Sequence, residues 1–457
     1  MMETGLVHAN DICEVIPIFS IKSRLAARLA LAKATYDRTK MLFILDGVMV
    51  NIAVVLSSGV FLSGYLVYLG GSDFLIGLLN FSMNWAAIVG LFSFLIFERL
   101  THRKGLLVTL LVISRVMVCS TIFLPLVFGR SQTTLAVLTA MIIIGNVIWG
   151  IYSVGFSVWL MNSVSRETRN DFIFRRAFWL RIAFSFVTVL MSVILDWTDK
   201  SYTGFLIVFL ASMVFSLADA AIMSRVPEPA NEVAAEPRFR SAAFFEPLRN
   251  REYRGLLLFI LLFYSGLSIS SSFTPLYLLR YLQFDYSFIS IINVISFAFM
   301  IIFTRIWGKL ESRLGLTKVF RLTGLFVICE FMLYGFLTNR TYFLLYFAPI
   351  LSGIGNSGLN VFIVNYRYSL MPIRNRTIYE GWFNAIFGLS ILIGPAVGSV
   401  VMNLLPVIEN HVFQYSRFQL MYMISFLFAG SALLLAFRGR QHAAADQDPG
   451  PLSPGQV

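Results

Sequence analysis

The stretch FILDGVMVN, residues 43–51, places Asp46 inside a run of residues that is otherwise almost wholly apolar. An ionised carboxylate in an apolar phase is costly unless it has a partner or a proton. Three roles follow for Asp46. It binds and releases a proton or a cation, it pairs with Arg169, Arg175 or Arg176 to close an inner gate, or it contacts a substrate. These roles overlap, and the sequence leaves all three open.

Small and polar residues also recur at helical spacing, because residues at i, i+4, i+7 and i+11 share one helix face. Four such stripes are Asp46, Val50, Ala53 and Ser57; Asn146, Gly150, Ser153 and Ser157; Tyr264, Ser268, Ser271 and Pro275; and Asn356, Asn360, Ile363 and Arg367. Such stripes line either dry helix–helix contacts or a water-filled pathway. Their symmetric positions along the chain favour the pathway. The pathway candidates are Ser57, Asn146, Ser153, Ser157, Tyr264, Ser268, Ser271, Asn356 and Asn360, with Asp46 as the coupling or inner-gate candidate.

The elements that carry these residues are long and apolar. Of 457 residues, 58% are hydrophobic and 13% are charged, whereas soluble domains carry roughly 25% charged residues. Twelve stretches approach or exceed the roughly 20 apolar residues that a bilayer core requires, and in lipid these must be helices. They are 41–69, 73–97, 105–128, 134–163, 172–195, 203–224, 253–279, 286–307, 317–338, 342–365, 378–403 and 415–437. The sequence therefore predicts an all-α integral membrane protein with 12 transmembrane helices.

The net charge of +12 is distributed unevenly between the two sides of these helices. The termini and the loops at 98–104, 164–181, 225–254, 309–321 and 366–376 hold 29 of the 36 Lys and Arg residues. The other loops hold Arg130, Lys200, Arg280, Arg340 and Arg417. This asymmetry is the positive-inside bias, and it predicts cytoplasmic termini in a plasma membrane rather than a nucleic-acid surface.

The chain also contains an internal repeat at offsets of 207 to 213 residues. Gly145–Asn146 then faces Gly355–Asn356, and Arg169 faces Arg376. The longest break between apolar stretches, at 225–250, divides them into six and six. The predicted organisation is a cytoplasmic segment at 1–40 with an amphipathic helix, six-helix bundles at 41–224 and 253–437 joined by a cytoplasmic linker at 225–252, and a disordered cytoplasmic tail at 438–457.

Twelve spans, cytoplasmic termini, a central linker and a basic 2–3 loop that is echoed in the 8–9 loop resemble the major facilitator superfamily, over roughly residues 41–437. The resemblance implies two pseudo-symmetric six-helix bundles in which helices 1, 4, 7 and 10 line a central cavity. These helices are the ones that carry the polar stripes.

The best motif of that family, G-x-x-x-D-R-x-G-[RK]-[RK], is kept only in part. GKLESRLGLTK has Ser312 at the Asp position, and ERLTHRKGLL has His102 there and Glu98 at the first Gly. In the family this acid helps to latch the two halves, so Glu98 and Glu311 are the acids that could substitute. The candidates for the cytoplasmic loop motif and gate are Glu98, Arg103, Gly105, Arg169, Gly308, Arg313, Gly315 and Arg376.

Four further ionisable residues lie within the predicted spans. Asp219 and Arg305 sit near the cytoplasmic ends, where Arg305 can snorkel to the interface. Arg115 and Glu330 lie deeper, and each needs a partner or a proton. All four are interpreted as structural.

Secondary transport of a small organic solute by alternating access, coupled to H+ or Na+, is the leading functional hypothesis. A lipid flippase or a transport-inactive receptor on the same scaffold is the alternative. An enzyme is not expected, because all four His residues lie outside the spans and the chain has no phosphate-binding G-x-x-x-x-G-K-[ST] motif. No catalytic residue, metal or cofactor is predicted. The expected partners are the lipid bilayer and the solute, without nucleic acid, and the protein is expected to be a monomer.

Overall fold

A computed structural model describes residues 38–97, 100, 102–164, 169–228, 244–371, 376–408 and 413–445. All regular secondary structure within these ranges is helical. The main helices, labelled in chain order, are α1 (Arg38–Tyr68), α2 (Asp73–Asn80 and Ser82–Phe92), α3 (Lys104–Phe128), α4 (Gln132–Ser163), α5 (Arg169–Trp197), α6 (Tyr202–Met223), α7 (Arg251–Tyr281), α8 (Tyr286–Leu314), α9 (Leu316–Gly335), α10 (Leu344–Leu370), α11 (Arg376–Leu404) and α12 (Ser416–Ala445).

These helices account for the twelve predicted apolar stretches. Within the described residues, ten helices are long and apolar enough to cross a membrane, and the bent pair that forms α2 makes eleven. The remaining predicted stretch is α9, a 20-residue helix whose sequence includes Lys318, Arg321 and Glu330. The three charged residues of α9 therefore distinguish it from the other long helices, although its length is sufficient to cross a bilayer.

Two helices are broken within the apolar layer, and hydroxyl side chains satisfy the freed carbonyl groups. In α1, Ser57 Oγ donates to the carbonyl of Ala53 at 2.8 Å and Ser58 Oγ donates to that of Val54 at 2.6 Å. The next residue, Gly59, has a φ of 56°, which favours glycine. In α2, the two helical parts meet at 56°. There Ser82 Oγ donates 2.7 Å to the carbonyl of Leu79. Such bonds make a break tolerable where water is absent.

The end of α7 is also irregular. Its regular part runs from Arg251 to Ser271, and Pro275 follows in a short turn. Residues Tyr277–Tyr281 then form a π-helical turn, which holds one residue more than an α-helical turn. This turn carries Arg280 and Tyr281 at the end of the helix.

The repeated Gly–Asn pair packs in the same way in both halves of the chain. A Cβ added to Gly145 of α4 would lie 3.1 Å from the carbonyl oxygen of Ser114 in α3, and one added to Gly355 of α10 would lie 2.8 Å from that of Thr323 in α9. Only glycine allows the two backbones to approach this closely. The repeat seen in the sequence therefore coincides with the same close helix contact in both halves.

The first six helices meet the last six where α2 packs on α11 and α5 packs on α8. The predicted start of the C-terminal tail differs from the structure, and two other predicted segments lie wholly or partly outside the described residues. α12 continues to Ala445, whereas a disordered tail was predicted from 438. The predicted amphipathic helix before residue 38 lies outside the described residues, as do 229–243 of the linker.

Candidate functional site

Two sides of the helix assembly are distinguished by their loops. The basic side carries the loops that hold most Lys and Arg residues, at 98–104, 164–181, 225–254, 309–321 and 366–376. The opposite side carries the ends of α1, α3, α5 and α7. There Asp73, at the start of α2, accepts a hydrogen bond of 2.5 Å from Arg280 Nη1 and one of 2.7 Å from the Tyr281 hydroxyl. This cluster joins the first six helices to the last six.

A second set of contacts on the opposite side joins α5 to α8. The carboxylate of Asp196 accepts from the backbone N–H groups of Tyr286 and Ser287, at 3.0 and 2.8 Å. These groups are free at the start of a helix, so the bonds complete that helix end. Lys200 forms an ion pair with Asp285 at 2.8 Å. We call Asp73, Asp196, Lys200, Arg280, Tyr281 and Asp285 together the opposite-side seal.

The polar stripes of α1 and α4 are buried at their ends nearer the opposite side. Ser57 and Asn146 are 2% and 5% exposed. Asn146 Nδ2 donates 2.8 Å to Ser82 Oγ of α2. The carbonyl of Ala53, within the α1 stripe, accepts 2.7 Å from Ser212 Oγ of α6. Ser57 and Asn146 therefore lie in helix–helix packing, which was the alternative explanation for a polar stripe.

The α7 stripe is similar. Ser268 Oγ donates 2.9 Å to the carbonyl of Ser390 in α11, and Gly394 of α11 is the residue that leaves space for Ser268. Ser271 is half-buried. Ser268 therefore lies at a close contact between α7 and α11.

The remaining stripe residues are accessible, and they lie nearer the basic side. Ser153, Tyr264 and Asn356 are half-buried, whereas Ser157 and Asn360 are exposed. Polar side chains of α4, α7 and α10 are thus accessible from the middle of these helices to their basic-side ends. Burial of the stripe residues therefore increases toward the opposite side.

Asp46 does not face this accessible surface, although its stripe predicted that it would. Asp46 is 0% exposed, and its Oδ2 atom forms an ion pair of 3.2 Å with Nη2 of Arg176 in α5. Arg176 Nε also donates 3.0 Å to the carbonyl of Phe43, one turn earlier in α1. Of the three Arg residues proposed as partners, Arg176 is the one that the structure places against Asp46.

Three more ionisable side chains complete a buried cluster around Asp46. The carboxyl group of Asp219, in α6, lies within hydrogen-bonding range of that of Asp46. Arg115 of α3 is an electrostatic neighbour of Asp219, and its guanidinium group lies 3.7 Å from the ring centroid of Trp149 in α4. We call Asp46, Arg115, Arg176 and Asp219 the charge cluster. Asp219 and Arg115 are 0% and 2% exposed.

The comparisons with known proteins agree with this architecture. A family model described as Major Facilitator Superfamily matches residues 256–455. The structure resembles that of a D-xylose–proton symporter, with a TM-score of 0.67 and 14% identity over 88% of this chain and 98% of that one. The second half of the chain therefore resembles the major facilitator superfamily in sequence, and the chain as a whole resembles a transporter in fold. The predicted fold class and the family resemblance are therefore confirmed.

Two further similar proteins are informative. A bacterial homologue of the iron transporter ferroportin matches with 16% identity over 88% of this chain, and the inward-facing structure covers 98% of that chain with a TM-score of 0.62. Its outward-facing structure gives a TM-score of 0.53. The class H tetracycline resistance protein of Pasteurella multocida is 28% identical over 101 residues, which is 22% of this chain and 24% of that protein. That match therefore spans about a quarter of the relative's length.

The basic loop between α2 and α3 is held by a residue that the motif did not indicate. Glu228, at the start of the central linker, accepts from the backbone N–H groups of Arg103 and Lys104, at 2.5 and 3.2 Å. Of the two predicted substitute acids, Glu98 lies outside the described residues and Glu311 is half-buried near the end of α8. Among the described residues, the acid that accepts hydrogen bonds from this loop is Glu228.

This arrangement gives a local prediction. Glu228→Gln is expected to raise hydrogen exchange at the amides of Arg103 and Lys104 about tenfold, because a hydrogen bond to a charged group contributes about 1.5 kcal/mol. Mass spectrometry of the exchanging protein measures the change. The exposed Glu252 provides the control, and Glu252→Gln is expected to leave the loop unchanged. Equal protection in both variants would contradict the contact.

The other motif candidates are distributed along the basic side. Gly105, Arg313 and Gly315 are exposed. Gly315 has a φ of 80° at the junction of α8 and α9, a conformation that favours glycine. A Cβ added to Gly308 would meet open space. Arg169 and Arg376 begin α5 and α11, and their side chains lie outside the description.

Like Arg115, Asp219 is a residue of the charge cluster that the sequence interpretation did not select. It was treated as an acid near the end of its span. The spacing rule used for the other helices would have found it, because Ser212, Ser216 and Asp219 follow one face of α6 at i, i+4 and i+7. All three are buried. No group of three or more His, Cys, Asp or Glu side chains gathers as a metal site in the part of the chain that the structure describes.

Proposed function

We propose that this protein is a member of the major facilitator superfamily that transports a small organic solute across a membrane by alternating access. The observation that carries the proposal is the unequal burial of the polar stripes, together with contacts between the two halves on the opposite side. The opposite-side seal closes one end of the path between the first and last six helices, while Ser153, Ser157 and Asn360 present polar groups nearer the other end. Alternating access requires a state of this kind, with its counterpart formed when the two halves rock about a central site.

The relatives support a transporter without narrowing its solute. Their names refer to tetracycline, D-xylose with a proton, and iron. The higher TM-score for the inward-facing homologue, 0.62 against 0.53, supports a path that opens on the basic side. The moving parts proposed are the units 41–224 and 253–437, connected by the linker 225–252.

The proposed orientation follows from the charges. Loops rich in Lys and Arg remain in the cytoplasm in membrane proteins, so the basic side is placed in the cytoplasm and the opposite side outside a plasma membrane. The protein is proposed to act as a monomer. Coupling to H+ or Na+ is proposed to involve Asp46, because it is a buried carboxylate whose partner, Arg176, lies on another helix of the same half.

A ligand screen by thermal stabilisation of the purified protein identifies a transported solute. A ligand at 100 times its Kd stabilises the native state by about 2.7 kcal/mol. Uptake of the hit into proteoliposomes, with and without an imposed ion gradient, then tests the function. Uptake that neither saturates nor responds to a gradient would contradict secondary active transport.

Asp46→Asn is expected to abolish gradient-driven uptake and to retain exchange of labelled solute across the proteoliposome membrane. The amide keeps the size of the side chain and cannot release a proton, so the loaded carrier still reorients while coupling is lost. Glu252→Gln, at an exposed position, is the control expected to keep both activities. Gradient-driven uptake that persists in Asp46→Asn would exclude Asp46 as the coupling residue.

A further inference from the structure

The charge cluster combines two carboxyl groups and two guanidinium groups from four different helices of the first half. Asp46 lies on α1, Arg115 on α3, Arg176 on α5 and Asp219 on α6. All four are buried or nearly so, and the side chain of Arg176 is 18% exposed. Charges that are removed from water in this way need partners or must be neutralised.

The pairing is incomplete. Only one ion pair in the cluster lies within 4.0 Å, the one between Asp46 and Arg176. Among the described residues, Oδ1 of Asp46 and both oxygens of Asp219 have no hydrogen-bond donor, and Nε and Nη2 of Arg115 have no acceptor. Asp219 and Arg115 therefore have no ion-pair partner within the cluster.

A single proton makes the contact between the two carboxyl groups of the cluster favourable. The carboxyl groups of Asp46 and Asp219 lie within hydrogen-bonding range of each other. Two ionised carboxylates only accept hydrogen bonds, so this contact is favourable when one of them carries an O–H group. Two carboxylates that share a site do not both ionise readily. The arrangement is that of a carboxyl pair that shares a single proton.

A metal cation would meet a less favourable environment than a proton. The positively charged Arg115 and Arg176 both act on Asp219, and Arg176 is bonded to Asp46. Each repels a further cation at short range in a medium of low dielectric constant. A proton becomes part of a neutral carboxyl group and removes the repulsion between the two acids.

The remaining polar neighbours do not replace the missing partners. Tyr152 of α4 is an electrostatic neighbour of Asp46, Asp219 and both Arg residues. Cys119 of α3 is a neighbour of Arg115, and its Sγ lies 3.3 Å from Ser212 Oγ. The titratable or charged groups that act on the two acids are therefore Arg115, Tyr152 and Arg176, whereas Cys119 acts on Arg115.

We propose that Asp46 and Asp219 hold one proton between them, and that release of this proton transfers Asp219 from Asp46 to Arg115. The O–H bond breaks, the electron pair stays on the carboxylate, and the proton leaves to water. The cluster then changes from one ion pair with a net charge of +1 to two ion pairs with no net charge. Because Asp219 and Arg115 lie on α6 and α3, the exchange of partners shifts these two packed helices.

This inference deepens the proposed function, on which its role in coupling rests. It makes the coupling ion a proton and adds two residues, Asp219 and Arg115, to Asp46. The protonated pair is assigned to the state described here, in which the opposite-side seal is closed. Formation of the second ion pair accompanies the change to the other state.

Infrared spectroscopy of the full-length protein in phosphatidylcholine vesicles tests the shared proton without any solute. The C=O stretch of a protonated carboxyl group is expected in the wild type at low pH and is expected to disappear as the pH rises. Asp46→Asn and Asp219→Asn are each expected to remove this band, and both substitutions are close in size to the protonated acid. All proteins compared carry Glu330→Gln, because Glu330 is another acid within a span and would otherwise contribute a protonated carboxyl band of its own. A band that survives in either Asn variant overturns the proposal.

Arg115→Gln separates the partner exchange from a merely structural role. Removal of the positive charge that stabilises ionised Asp219 should raise the pH at which the band disappears by roughly one to three units. Arg181→Gln is the matched control, because Arg181 contacts the ring of Phe297 and no carboxylate of the cluster. An unchanged titration in Arg115→Gln overturns the exchange.

The two hypotheses fail separately. Gradient-driven uptake by the wild type without the expected band would retain the transport function and remove the proton site. The expected band and its shift in Arg115→Gln, in a protein that transports nothing, would retain the proton site and remove the transport function.

Discussion

Asp73→Ala is expected to open the opposite-side seal and to shift the protein toward its other state. Asp73 is the single acceptor for both Arg280 and Tyr281, so one substitution removes two hydrogen bonds between the halves. The pair is partly accessible, with side-chain exposures of 29% for Asp73 and 34% for Arg280. Allowing for this exposure, the loss is about 1–2 kcal/mol, which changes the ratio of the two states about 5- to 30-fold.

Accessibility of a single cysteine measures this change. Ser290 of α8 is 2% exposed and lies on the opposite-side half of the interface, where its hydroxyl is 2.6 Å from that of Ser192. In a protein without Cys13, Cys119 and Cys329, Ser290→Cys should react slowly with a membrane-impermeant maleimide. Addition of Asp73→Ala should accelerate the labelling about 5- to 30-fold.

Asp285 provides the control within the same seal. Its ion pair with Lys200 is well exposed, at 64% and 41%, and exposed pairs contribute little. Asp285→Ala is therefore expected to leave the labelling rate close to that of the parent. Equal rates in the two Ala variants would show that the Asp73 contacts do not hold the seal.

Arg176→Ala is expected to destabilise the protein by about 3–5 kcal/mol at about pH 8, because it leaves the Asp46 carboxylate buried without its ion-pair partner. At about pH 5 the loss should be smaller. Asp46 can then take up a proton, whereas in the unfolded chain the carboxyl group faces water. Chemical denaturation in detergent at the two pH values measures both quantities.

Two variants distinguish this effect from a simple loss of packing. The double variant Asp46→Asn with Arg176→Gln should recover most of the stability, because both charges are removed together. Arg181→Ala, on the same helix, should cost about 1 kcal/mol or less, since its contact is with the Phe297 ring at 6.0 Å. A loss in Arg176→Ala that is independent of pH and no larger than that in Arg181→Ala would contradict the buried ion pair.

The helices could be predicted from the sequence because the constraint is strong. A bilayer requires about 20 apolar residues per helix and tolerates no open backbone, so composition alone locates even the irregular α1 and α2. The Gly–Asn repeat was also informative, because Gly145 and Gly355 meet carbonyl oxygens of equivalent neighbouring helices. These features depend on local sequence and on backbone sterics.

The charge cluster could be predicted only in part. The spacing of a stripe identifies which residues share a face, but it does not give the rotation of the helix about its own axis. For this reason Asp46 was expected to face the pathway, whereas in the structure its side chain faces Arg176 and Asp219. Ser57, Asn146 and Ser268 were ambiguous in the same way. The identity of the neighbouring helix decides whether such a face is packed or wet, and that information is not local.

The π-helical turn at Tyr277–Tyr281 has a consequence for how related chains should be aligned. Each residue of a helix turns the chain by about 100°. A relative that lacks the extra residue of this turn would therefore present its Arg and Tyr about a quarter-turn away from the acid at the start of α2, even with both residue types preserved. The contact with Asp73 therefore depends on the number of residues in this turn as well as on their identity. In an alignment, a one-residue gap at this place would indicate a change in how the opposite-side seal opens.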